Sequence, residues 1–236
     1  MLTSLLPGLR HFRTPFAVGA LFAFQLWLIF GKSIPEPNQT HGIIERIYSL
    51  GNAAGRPIVT AVIAFTVYLI GDCVKMSPSS ISTVHSNLEG RLYYLSRDSE
   101  MQLLLFAATA FDAREHSRPP GDSMARLAKQ IRIEFPQIRA RLIAGHADVY
   151  LEHDRLASEA EFRINVAIFT ATLWCTLAYA WTPAALGILP VSFILYKNGL
   201  AALRESNNLL VQVIVSEIVP SRRFEEEKAR NRADPE

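Results

Sequence analysis

The chain has 236 residues, with 24 lysines and arginines against 22 aspartates and glutamates and a net charge of +2. That balance excludes the concentrated positive field with which nucleic-acid binders hold phosphate. Half of the residues are hydrophobic, and they gather in blocks rather than at the spacing of one globular core, which argues against a single soluble domain.

The first block, residues 16–30, reads FAVGALFAFQLWLIF. A helix needs about 20 mostly apolar residues to cross a bilayer, so the reading takes Thr14 and Pro15 as its start and Gly31 as an extension. Gln25 is its one polar side chain. Arg10 and Arg13 before a short apolar run also suit a secretory signal, but 30–35 offer no small-residue cleavage site, so an uncleaved anchor is expected.

The second block, 57–70, opens at Pro57, a favoured first helical residue, and approaches spanning length with Ala53, Ala54 and Gly71 added. It carries Thr60 and Thr66, and Asp72 and Lys75 follow at its end. Residues 31–56 read as the linker between these two spans, with Asn38-Gln39-Thr40 forming a glycosylation sequon by pattern alone.

The polar stretch 76–163 is helical by pattern. Ile81, Val84, Leu88, Leu92 and Leu95 recur at three- and four-residue spacing. The apolar run 101–111, with Leu103, Leu104, Leu105, Phe106 and Phe111, is too short to span and reads as buried helix core. Arg118-Pro119-Pro120-Gly121 is a break, after which Asp122 or Ser123 can cap a new helix. From Pro136 onward only Gly145 interrupts, so 137–180 is expected to be one helix of roughly 65 Å running into the third block.

The third block, 164–180, carries Asn165, Thr170, Thr172 and Thr176, follows Glu161 and Arg163, and ends beside Trp181, which suits an interfacial belt. The fourth, 184–196, contains Pro190, which is expected to kink it. Its helix should continue until Pro220, leaving 220–236 as a charged, disordered tail.

The fold class expected is therefore all-α: a polytopic membrane protein with four transmembrane helices in two pairs and a cytoplasmic helical bundle between the second and third. Its divisions are 1–75, 76–163, 164–219 and 220–236. Lysine and arginine are dense before the first span, around the insert and after the fourth span, and sparse or absent in the other two connections. Both termini and the insert should face the cytoplasm, in a cell membrane of bacterial inner-membrane type.

Chemistry is sparse. His146 and His153 lie seven apart, about 10 Å along a helix and too far for one ion. Glu159 and Glu161, two apart, point to different faces. Cys73 and Cys175 fall in or beside apolar blocks and read as small apolar residues rather than a disulfide. With no phosphate loop, nucleophile elbow or metal motif, neither an enzyme nor a cofactor is expected.

Polar groups at membrane depth or at its boundary are the better pointers, because they cost free energy unless they face protein or water. These candidates are Gln25, Thr60, Thr66, Asp72, Glu161, Arg163 and Asn165. Two readings follow: a homo-oligomeric ion channel or pore gated by its cytoplasmic helices, or a membrane-anchored scaffold whose cytoplasmic helices bind a protein partner. The partners in either case include the lipid bilayer and exclude nucleic acid. The layout of spans and insert is similar to that of the bestrophin-type anion channels, an analogy of layout. That family's Arg-Asn and aromatic-rich motif after the second span is absent; Gly71-Asp72-Cys73-Val74-Lys75-Met76 stands there instead.

Overall fold

The computed structural model describes residues 6–35, 41–77, 80–81 and 122–233. Apart from Ile81 at its start, the periodic stretch 81–95 lies outside them, as do the run 101–111, the break at 118–121 and the Asn38 sequon. Every regular element among the described residues is helical. They are α1 (Leu6–Phe30), α2 (Ile43–Ala54), α3 (Arg56–Val74), α4 (Asp122–Gly145), α5 (Ala147–Ala180), α6 (Leu189–Val215) and α7 (Arg222–Ala233), with short 3-10 segments at Gly31–Ser33 and Pro183–Ile188.

Four helical runs are long and apolar enough to cross a membrane: Arg10–Ser33, Arg56–Val74, Ala147–Ala180 and Pro183–Val215. They are compatible with a membrane location. The sequence of α3 shows why a bilayer matters, since Val59, Thr60, Val62, Ile63, Thr66 and Val67 are β-branched and weak helix formers in water. In hydrocarbon the helix satisfies every backbone group within the segment, which overrides that preference.

Several boundaries differ from expectation. Helix α1 begins at Leu6, so Pro15 lies inside it rather than at its start. Ala53 and Ala54 belong to α2, a helix inside the supposed linker, and Gly55 at φ +81° separates it from α3. Pro57 sits in the first turn of α3, where its missing donor costs nothing. The long helix expected over 137–180 is two helices, parted at His146, and Pro136 is interior to the first. Pro190 is the second residue of α6, where a first-turn proline has no hydrogen bond to remove, so the expected kink gives way to a 3-10 entry. Helix α6 ends at Val215, before Pro220.

The chain divides into two compact units, Met1–Ser77 with Ser158–Leu200, and Pro78–Ala157 with Ala201–Glu236. In the first, α1 and α3 cross antiparallel at two glycines. A Cβ on Gly71 would strike the Pro15 carbonyl, and one on Gly19 the Val67 carbonyl. Only glycine lets these backbones touch. Gly199 of α6 is held likewise against Arg163 and Ile164 of α5. Gly71 is the only buried residue of α3; Ile58, Val62, Ile63, Phe65 and Leu69 are all exposed.

The second unit has an apolar core. Ile131, Phe135, Ile138 and Leu142 recur along one face of α4 and pack with Leu210, Val211, Val213 and Ile214 of α6. Val219 and Phe224 complete the cluster. In place of a solvated tail, the charged residues after Pro220 form α7, whose Phe224 is buried in that core. Ser221 caps α7: its hydroxyl accepts from the Phe224 N–H at 3.3 Å and donates to Glu134 at 2.7 Å. Arg141 donates to the Pro220 carbonyl.

Candidate functional site

The first unit gathers its boundary charges where α1, α3 and α5 meet. Helix α3 ends with the Lys75 N–H bonded to the Gly71 carbonyl, and the backbone then turns extended. That leaves Met76 with backbone groups that no helix satisfies. Asn165, fully buried on α5, satisfies both: its Oδ1 accepts from the Met76 N–H at 2.7 Å and its Nδ2 donates to the Met76 carbonyl at 3.1 Å. The same Nδ2 also donates to the Glu161 carbonyl at 2.9 Å.

Charges surround this clasp. Lys75 pairs with Asp72 at 2.9 Å and approaches Glu161 at 4.0 Å, joining the end of α3 to the middle of α5. Arg163 pairs with Glu159 one turn back at 2.6 Å. The Arg13 guanidinium of α1 lies over the Phe162 ring at 4.1 Å, a cation–π contact. Thus Asp72, Glu161 and Asn165 come together, with Arg163 on the adjoining turn.

The candidates deeper in the apolar helices do not converge. Thr60 donates to the Arg56 carbonyl at 2.9 Å and Thr66 to the Val62 carbonyl at 2.8 Å, each within α3. Gln25 reaches from α1 to the Phe169 carbonyl of α5 at 3.0 Å, beside an edge-on contact of Phe22 with Phe169. Thr172 and Thr176 bond carbonyls of their own helix, while Thr170 does so and also meets Ser192 of α6 at 3.0 Å.

The second unit holds a polar pair that spacing alone does not reveal. His153 is buried, 4% exposed, and its Nδ1 lies 2.9 Å from the Ser206 hydroxyl and 3.2 Å from the Ser206 carbonyl. It precedes the apolar stretch of α5 that begins at Ile164 by about three turns. Burial, and then the Arg139 charge, lower its pKa from the usual histidine value. Ser206 is equally buried, so the pair offers no exposed nucleophile. His146, at the break between α4 and α5, is exposed. Among the described residues no group of three His, Cys, Asp or Glu side chains is placed to hold a metal ion.

Among the described residues the arrangement joins and braces helices. Comparison of the chain with protein-family models, curated proteins and solved structures gave no match.

Proposed function

We propose that this chain is a non-catalytic integral membrane protein whose four spans, in two pairs, anchor a cytoplasmic helical unit that binds a protein partner. The observation that carries this reading is the self-sufficiency of the polar groups in the apolar helices. Gln25, Thr60, Thr66, Asn165, Thr170, Thr172, Thr176 and Ser192 all find hydrogen-bond partners within one copy. Groups so satisfied leave little to line a water-filled path. The bias of Lys and Arg supports termini and insert on the cytoplasmic side.

The core around Phe135, Leu210 and Phe224 gives the second unit a rigid platform. Its surface carries exposed apolar side chains, Ile133 and Ile143 among them, of the kind that anchor protein contacts. A photo-crosslinker at position 133 or 143, activated in the native membrane, should yield an adduct with a second protein species. Adducts with further copies of the chain alone would contradict the scaffold.

The homo-oligomeric pore is the second reading, and one observation favours it. Away from the face that packs on α1, α3 is exposed, with Thr60 and Thr66 open beside Ile58, Val62, Ile63, Phe65 and Leu69. A ring of copies would cover that surface and turn Thr60 or Thr66, which lie about 120° apart around the helix, toward a shared axis.

A further inference from the structure

Helix α2 has an apolar stripe that none of the described residues covers. Ile43, Ile47, Leu50 and Ala54 follow at intervals of four, three and four, which places them within about 60° of arc on a helix of 3.6 residues per turn. Ile43 is 77% exposed, Ile47 62% and Leu50 70%. Glu45, Ser49 and Asn52 occupy the opposite side. Burying such a stripe against other protein is the usual source of stability for a helix this short.

The position of α2 in the chain identifies what covers the stripe. Its last residue, Ala54, is one residue from the start of α3, and Gly55 at φ +81° makes the turn between them. Gly51 rests near the Val59 side chain, and the Tyr48 hydroxyl donates to the Pro35 carbonyl just beyond α1 at 3.1 Å. Lys32 and Arg56, the cations flanking the ends of α1 and α3, mark the level where apolar helix gives way to water. Helix α2 is therefore held at that level through Gly51, Tyr48 and the turn at Gly55.

We infer that α2 is an interfacial helix that lies in the headgroup region of the bilayer, with Ile43, Ile47 and Leu50 toward the acyl chains and Glu45 and Ser49 toward water. A strongly two-faced helix of about 18 Å suits that position. The inference rests on the reading that α1 and α3 cross the membrane.

The test uses nitroxide labels on single cysteines in the full chain, with Cys73→Ser and Cys175→Ser, reconstituted in phosphatidylcholine–phosphatidylglycerol vesicles. Labels go in through Ile47→Cys, Leu50→Cys, Glu45→Cys and Ser49→Cys, with Phe65→Cys, exposed in the middle of α3, as the reference for the span. The ratio of oxygen to nickel-chelate accessibility should be several-fold higher at 47 and 50 than at 45 and 49. Equal nickel access at all four positions, with 65 still shielded, overturns the interfacial helix and leaves the spans intact. Dipolar broadening between labels at 47 or 50 overturns it in favour of a second copy. Nickel access at 65 sinks the spanning reading and the inference with it.

Discussion

Asn165 and Met76 are joined by two hydrogen bonds in opposite senses, so one carboxamide closes both backbone groups of a residue distant in sequence. The clasp fixes where the chain leaves α3 against the flank of α5. Because Asn165 is fully buried, no water can replace it there. Asn165→Ala should lower stability by about 2–4 kcal/mol, since it orphans a donor and an acceptor together. Asn165→Asp, which keeps the acceptor and loses the donor, should also be less stable than the natural chain. Thermal unfolding in detergent measures both, and an unchanged midpoint for the alanine variant would refute the clasp.

The glycines make a paired prediction. Gly71→Val should cost about 3 kcal/mol or more, because the added atoms meet the Pro15 backbone rather than a side chain that can swing away. At Gly145 a Cβ would meet nothing, so Gly145→Ala should be neutral or raise stability by up to about 1 kcal/mol. Equal effects at the two positions would show that α1 and α3 do not cross at Gly71.

His153 sets a pH dependence. Its folded-state pKa is lowered, first by burial and then by the Arg139 charge, so the unfolded chain takes up the proton more readily. The stability it contributes is present in full above the ordinary histidine value of about 6.5 and is lost as pH falls from there through the lower folded value. Melting temperature should therefore drop on acidification, and His153→Gln should reduce the slope of that drop. A slope identical in the two proteins would show that His153 is not buried in its neutral form.

Topology can be read with phosphatase fusions. With four crossings and both ends cytoplasmic, a fusion after Glu236 should be inactive and one near His41 active. Activity at Glu236 would mean an odd number of crossings, with the run that begins at Pro183 the first to be doubted.

The four long apolar helices were legible in the sequence because such a helix is specified by composition over a long window, and the same run of apolar residues that suggests one also builds it. Helix α2 was not, because a short amphipathic stripe between two spans has the composition of a linker. By sequence Pro15, Pro136 and Pro190 suggest boundaries or kinks, yet Pro190 falls in a first turn and the other two lie within helices. Among site residues, Asp72, Glu161 and Asn165 were named for their depth, but depth says nothing of partners. Met76 contributes only its backbone, and Arg13 meets Phe162 across a large separation in sequence. The burial of His153 was not legible, because a single histidine leaves no periodic trace of burial. The charged residues of α7 hide one anchor, Phe224, whose pocket is assembled from α4 and α6.

Flux through the protein is the most direct test of whether the spans anchor or conduct. Purified protein reconstituted in sealed liposomes should pass chloride and potassium no faster than protein-free vesicles, because the span threonines and amides bond within the copy and leave no polar lining. Permeability above that background, lost in a Thr60→Val, Thr66→Val variant that still inserts, would contradict the anchored scaffold and make the pore the function of the chain.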